Sequence, residues 1–424
     1  MRTAILGARV IDPSSGLDRV SDLYLDGGKL VAIGQAPADF TADKTLDAQG
    51  LVAAPGLVDL SVALREPGYS RKGSIATETL AAAAGGVTSL CCPPFTKPVL
   101  DTPAVAELIL DRAREAGHTK VFPIGALSKN LAGEQLAELV ALRDTGCVAF
   151  GNGLDNFRNS RTLRRALEYA ATFDLQVIFH SQDFDLAEGG LAHEGPTASF
   201  LGLAGIPESA ETVALARDLL LVEATGVRAH FQQISSRESL WLLREAKARG
   251  LPVTADVSIH HLLLDESAIE GFNSHCHVIP PLRGAADREA LLAAVADGTI
   301  DAICSQHQPV GSSSKAAPFP ASKPGISGLD SLLPLILKLV AEGALPLHRA
   351  LDAVTAAPAR CLGIQAGQLE AGRPASLCVL AADESRGLAS HWLSAGSNSP
   401  WRNATLPGVV KLTVCQGKVS WLSD

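Results

Sequence analysis

Short apolar runs alternate with amphipathic stretches along most of the chain. From about Val52 to Ile364, eight runs read as strands: LVAAPGLVDLSV, VTSLCCPP, KVFPIGAL, CVAFGNG, QVIFHSQD, VRAHFQQIS, PVTADVSI and DAICSQHQP. Near-continuous apolar runs of this length suit parallel strands buried on both faces. Between them lie segments of helical periodicity, including SIATETLAAAAGG, TPAVAELILDRAREAG, SRTLRRALEYAATF, SAETVALARDLLLVEATG, RESLWLLREAKARG and ADREALLAAVADG. Several end in Gly, which accepts the left-handed conformation that closes a helix. Eight strand–helix units in succession predict an α/β fold, a (β/α)8 TIM barrel over residues 53–365.

The ends follow a different rhythm. TAILGARVID, SDLYLDGGKLVAIG and KTLDAQGLVAAPG are strand-like with Gly-containing turns, and ASLCVLAAD and VVKLTVCQGKVSWL mirror them at the C-terminus. Residues 1–52 and 366–424 are therefore expected to combine into one small composite β-domain, a β-sandwich, beside the barrel. The stretch PVGSSSKAAPFPASKPGISG follows the eighth strand. Its Ser, Lys and Pro content predicts a mobile loop over 310–326, where barrel enzymes carry lids.

Composition narrows the function classes. Of the 424 residues, 47 % are apolar, enough for a large core. The net charge of −9 comes without long single-sign runs, which argues against a nucleic-acid partner. No apolar run approaches the ~18–20 residues of a membrane span. The opening MRTAILGARVID alternates like a strand and carries no signal-peptide cleavage site, so a cytoplasmic location is expected. The eight Cys form no Cys-x-x-Cys pair and mostly sit in apolar runs. They read as buried thiols, with no disulfide framework or structural zinc.

A barrel places its chemistry at the C-terminal ends of its strands. At the first, PGLVDLSVALREPG runs from an apolar strand into a polar turn, yet its centre is Ser61-Val62-Ala63. These side chains neither bind a metal nor transfer a proton well.

That block stands with TETLAAAAGGVTS, TKPVLDTP, EGPTASFLGLAGIPESAE, SSRESLWLLREAKARGLPVTADVSIHHLLL, PPLRGAADREALLAAVADGTIDAI and PGISGLDSLLPL, in that order. Together they resemble the dihydroorotases, amidohydrolase-superfamily enzymes that close carbamoyl aspartate to dihydroorotate in pyrimidine synthesis. The resemblance covers essentially the whole chain. It implies a barrel of the metal-dependent hydrolase type with zinc at the strand ends, where three or four His, carboxylate or Cys ligands would make a bound water reactive.

Position by position, all but one of the implied ligands are missing. The family's His-x-His after the first strand corresponds to Ser61 and Ala63. Its bridging carboxylate at the fourth strand corresponds to Asn152 and Gly153, with Asp155 close by as the one substitute in reach. His180, in VIFHSQD, is retained at the fifth strand. The sixth-strand His corresponds to Gln233, and His230, three residues earlier, turns to the opposite strand face. The eighth-strand Thr-Asp-His-Ala-Pro-His reads Ser305-Gln306-His307-Gln308-Pro309-Val310. Gln306 has the size of an acid but cannot titrate. On the substrate side Arg65 survives, suited to gripping a carboxylate, while Phe95 and Val310 replace an Asn and a His.

The resemblance thus implies a barrel without zinc and without catalytic residues, retained as a structural subunit. The implied partner is aspartate transcarbamoylase, in a hetero-dodecamer of six plus six chains in the cytoplasm. Two alternatives remain at this level: an active cyclic-amide hydrolase with a rewired site, and a metabolite-binding sensor built on Arg65. Arg65 could equally pair with Glu66 or Asp59. Of the remaining candidates, His260-His261 suit core packing around the site. His275 and His277 have strand-alternate spacing but no further ligands. Ser305 beside His307 lacks an orienting acid. Arg164 and Arg165 suit a solvated helix face.

Overall fold

A computed structural model describes residues 2–154 and 157–423. Its centre is a ring of eight parallel strands: Leu57–Asp59, Val87–Cys92, Lys120–Ala126, Ala149–Gly151, Val177–Phe179, Ala229–Phe231, Val253–Ser258 and Ala302–Cys304. Each pairs with the next in sequence, and helices fill the connections. The ring closes just beyond the ends of these ladders. Ala63 N donates to His307 O at 2.9 Å and His307 N to Ser61 O at 2.9 Å. The seam between first and eighth strands therefore runs through the positions singled out for chemistry.

Packing explains the layers. Leu60, Cys91, Phe122, Ile124, Ala149, Ile178, Ala302 and Cys304 form one buried cluster, which strands on different sides of the ring can share only in its interior. Cys361 and Leu362, from the helix Ala356–Leu362, complete that cluster. A larger apolar layer joins the outer strand faces to the helices. All eight cysteines are free and buried.

Four expectations need correction. LVAAPGLVDLSV is not one strand. Val52–Pro55 pairs with Leu377–Leu380 and with Arg9–Val10 in the outer sheet, and Leu57–Asp59 belongs to the barrel. The crossing falls at Gly56 rather than between residues 52 and 53. A Cβ there would lie 2.1 Å from Thr88 Cγ2, so only glycine passes. The terminal segments form one continuous sheet rather than two stacked ones. Its order is Lys418–Leu422, Thr405–Cys415, Leu377–Gly387, Val52–Pro55, Arg2–Asp12, Leu17–Asp26 and Lys29–Ile33, with Lys44–Asp47 also on Arg2–Asp12. It curls until Lys29 bridges Pro374, around a core that includes Ile5, Leu23, Leu377 and Val414.

The stretch 310–326, expected as a mobile loop, holds a short helix, Ser312–Ala316, and a 3-10 turn, Phe319–Ala321. Phe319 packs with Cys276, Val278 and Ile326, and that burial anchors the segment. Finally, 366–424 does not stay in the β-domain. After Leu377–Gly387 the chain returns to the barrel mouth, where Asn398 Nδ2 donates to Gln308 O and Gly325 O, both at 2.9 Å. Among the described residues, no helix is long and apolar enough to cross a membrane.

Candidate functional site

Three of the positions singled out in the sequence meet at the barrel mouth and bond to one another. Gln233 Nε2 donates to Ser61 Oγ at 2.9 Å, and Gln306 Nε2 donates to Gln233 Oε1 at 2.9 Å and to Ile279 O at 2.8 Å. All three side chains are buried. The chain links the ends of the first, sixth and eighth strands. Arg65, Gln233 and Gln306 have φ values of 63°, 58° and 48°. Non-glycine residues rarely occupy that region, at a cost of about 1–3 kcal/mol each, so the surrounding contacts hold these turns in place.

Below this chain, buried carboxylates tie down backbone. Asp59 Oδ1 accepts from Ser61 N at 3.2 Å and Ser305 N at 3.1 Å. Burial pushes its pKa up to about 6, against the pull of those hydrogen bonds. Asp256 Oδ1 accepts from Gln233 N at 2.8 Å, and its Oδ2 lies 2.9 Å from His230 Nε2. His230 Nδ1 meets Thr254 Oγ1 at 2.8 Å, so the imidazole is spent on Thr254 and Asp256. Burial opposes a charge on His230, but its bonds to Asp256 and Cys361 raise its pKa overall.

His307 makes the other buried pair. Its Nδ1 accepts from Gly328 N at 3.1 Å, which leaves the proton on Nε2, facing Glu78 Oε2 at 2.9 Å. Glu78 also accepts from Ser394 Oγ at 2.6 Å and Ala395 N at 3.1 Å. Burial acts to raise the Glu78 pKa, yet these partners hold it below the ordinary value. Sequence reasoning missed Glu78 and Ser394. The available signal was a carboxylate at helical spacing with Ile75 and Ala82 on the side of the helix expected to be buried, where an unpaired charge would be too costly. Glu78 is an acid beside His307 that the sequence did not show, but both ring nitrogens are engaged by Glu78 and Gly328, so neither is paired with Ser305. Ser305 Oγ accepts from the His307 backbone N at 3.1 Å.

The remaining positions singled out in the sequence are filled or engaged. Asn152 Nδ2 donates to Ser128 Oγ at 2.7 Å, and Asn152 Oδ1 accepts from Ser128 N at 3.1 Å. Phe95 lies so close over Gly153 that a Cβ there would sit 1.8 Å from its ring. Val310 is buried, with its N donating to Asn398 Oδ1 at 2.9 Å. Arg65 pairs with neither suggested acid. Its Nε donates to Pro309 O at 2.9 Å and its Nη2 to Gln308 Oε1 at 3.0 Å, while Glu66 Oε2 accepts from Ile75 N. Ala63 is buried in the seam.

The other histidines do not converge on the mouth as a ligand set. Burial pushes the pKa of His180 down to about 4, of His260 to about 3 and of His261 to about 4, so each is neutral at pH 7. His261 bonds Ser258 Oγ and Pro280 O. His275 lies in a 3-10 turn, Ser274–Cys276, rather than in a strand, and His277 stacks on Phe319 with its Nδ1 2.8 Å from Ser322 Oγ. Arg164 and Arg165 both pair with Glu168 on an exposed helix face. Asp155 lies outside the described residues. Among the described residues, no group of three or more His, Cys, Asp or Glu is arranged to hold a metal ion.

Comparisons with known proteins place this geometry. The Dihydro-orotase-like family model matches residues 50–239. Over 420 residues, 99 % of each chain, the protein is 62 % identical to a "Dihydroorotase-like protein" of Pseudomonas aeruginosa. It is 40 % identical over 420 residues, again 99 % of each chain, to a "Dihydroorotase" of Trichlorobacter lovleyi. Among solved structures, L-hydantoinase (dihydropyrimidinase) from Arthrobacter aurescens superposes with a TM-score of 0.87 over 98 % of this chain and 95 % of that one. At 24 % identity that likeness speaks to the fold, a (β/α)8 barrel with a β-domain.

Proposed function

The chain belongs to the dihydroorotase-like family, and from that premise we propose that it is a non-catalytic member: a cytoplasmic structural subunit that assembles with aspartate transcarbamoylase and supports that enzyme's assembly and activity in pyrimidine synthesis. The reading rests on the chain from Ser61 through Gln233 to Gln306. A zinc-dependent hydrolase needs anionic or imidazole donors there, and a titratable group to move a proton. A hydroxyl and two amides supply neither. They carry no charge to offset a dication, and each spends hydrogen-bonding capacity on the next. The residues at this mouth therefore do not fit zinc.

The partner follows from the family resemblance. A subunit that binds only the assembled form of an enzyme stabilises that form by mass action. This role requires an intact barrel but no chemistry at its mouth, consistent with a closed seam and a continuous buried core.

The test is co-expression of this chain with the aspartate transcarbamoylase of the same organism, alongside each alone. Co-purification in a complex of six plus six chains is expected, with transcarbamoylase activity falling when this chain is omitted. In parallel, the purified chain is expected to carry no stoichiometric zinc and to leave dihydroorotate unhydrolysed. Bound zinc with turnover would overturn the loss of catalysis. A stable chain with no affinity for the transcarbamoylase would overturn the partner role.

A further inference from the structure

A cavity lined by none of Ser61, Gln233 and Gln306 lies where the returning C-terminal segment meets the barrel. It is a cleft of about 530 Å³ between the helix Ser312–Ala316, the 3-10 turn Ser274–Cys276 and the returning C-terminal segment at 397–403. That volume is in the range of small-molecule sites. Its walls carry His275, Lys315 and Arg402, with Ser312, Ser399 and Asn403 between them, and no carboxylate.

The charge of this cleft is uncompensated. Lys315 is 5 % exposed, and its ammonium donates to Ser274 O at 2.8 Å and His277 O at 3.3 Å. Among the described residues, no carboxylate pairs with Lys315, Arg402 or His275. Burial lowers the Lys315 pKa to about 8, which keeps it largely protonated at pH 7. His275 Nδ1 is buried and has no hydrogen-bond partner. Keeping a buried cation without a counter-charge is costly unless an anion supplies the missing charge. The guanidinium of Arg402 offers the forked donors that suit tetrahedral oxyanions, and the hydroxyls of Ser312 and Ser399 add neutral donors.

We propose that this cleft binds the phosphoryl group of a small phosphorylated metabolite, held by Arg402, Lys315 and His275. Two cationic side chains on one cleft, Lys315 and Arg402, suit a dianion better than a single carboxylate, while burial and the neighbouring Lys315 lower the His275 pKa, so its imidazole serves as a neutral hydrogen-bonding group. The cleft also exceeds the size of a bare phosphate and has polar walls for the remainder of a ligand. No Phe, Tyr or Trp side chain lines it, so a stacked nucleobase is not part of the assignment. The site goes beyond the structural-subunit reading and stands independently of it.

The test is isothermal titration of the full-length chain at pH 7 in chloride buffer, with inorganic phosphate and separately with glycerol 3-phosphate. Arg402→Gln and His275→Gln serve as variants. Arg402 is exposed and its side chain makes no ion pair among the described residues, so its removal leaves the fold intact, and circular dichroism checks this. Saturable binding is expected, weakened about tenfold by Arg402→Gln, equivalent to ~1.4 kcal/mol. Tighter binding of glycerol 3-phosphate supports a metabolite, and equal affinity supports recognition of the phosphoryl group alone. Absence of saturation with both probes up to about 10 mM, a concentration well above metabolite-grade affinities, overturns the proposal. So does wild-type affinity in both variants.

Discussion

The Gln233→Leu substitution tests whether the barrel mouth is now held by its own polar chain. Leucine keeps similar bulk but removes both side-chain bonds of Gln233: the donation to Ser61 Oγ and the acceptance from Gln306 Nε2, each at 2.9 Å. A neutral bond contributes about 0.5–1.5 kcal/mol net, and a buried partner left unsatisfied costs about 1–3 kcal/mol. Gln306 Nε2 keeps Ile279 O, so Ser61 Oγ bears the main loss. The expected destabilisation is about 2–4 kcal/mol. With an unfolding entropy of about 2.1 cal/mol/K per residue over the roughly 300 residues from Leu57 to Leu362, this corresponds to a Tm lowered by about 3–6 °C. Differential scanning calorimetry of wild type and variant reads the shift directly. The proposed complex with the transcarbamoylase should persist below the new transition, because the substitution is internal. A Tm unchanged within about 1 °C would refute the reasoning, since two lost buried bonds cannot be that cheap.

Other outcomes follow from the same geometry. Gly153→Ala should fail badly: its Cβ would strike the Phe95 ring, and the residue has φ 58°. Phe95→Ala in the same chain should recover the steric part, so a double-mutant cycle should return a coupling of about 1–3 kcal/mol; simple additivity would contradict this contact. His230→Gln, which breaks the buried pair with Asp256, should cost about 3–5 kcal/mol near pH 6. Because the His230 pKa is raised on folding, to about 10, its stabilisation is fully present below the ordinary histidine value and lost as pH rises towards 10. Urea midpoints of wild type and variant should therefore converge on going from pH 6 to pH 10, and parallel or diverging curves would count against the assignment. Zinc added in excess should leave Tm unmoved, whereas a site filled at a hundred times its Kd would stabilise by ~2.7 kcal/mol. A zinc-dependent rise reversed by chelator would show donors other than those described.

Much of the architecture was readable before any coordinates. The eight barrel strands and their helices follow from the spacing of apolar positions, since parallel strands buried on both faces need continuous hydrocarbon. The residues at the mouth are legible too, because Ser61, Gln233 and Gln306 stand at the ends of readable strands. The error at Val52–Asp59 has a clear cause. Two apolar strands joined by one glycine carry the same hydropathy as one long strand, and only the contact with Thr88 distinguishes them. Likewise, 310–326 was polar enough to read as a lid, because burial of Lys315 against carbonyls leaves no trace in composition.

What the sequence by itself determined was the kind of fold and the chemical identity of the mouth: period and pattern are local properties, and a glutamine cannot act as an acid wherever it lies. What only the tertiary structure decided was how those residues are used. Ser61, Gln233 and Gln306 come from strands far apart in the chain, and only ring closure brings their polar atoms within bonding distance. The pairing of Glu78 with His307 and Ser394, and the cleft that gathers His275, Lys315 and Arg402, arise the same way. Hydrogen bonds and uncompensated charge depend on distances between segments, and those distances exist only once the chain has folded.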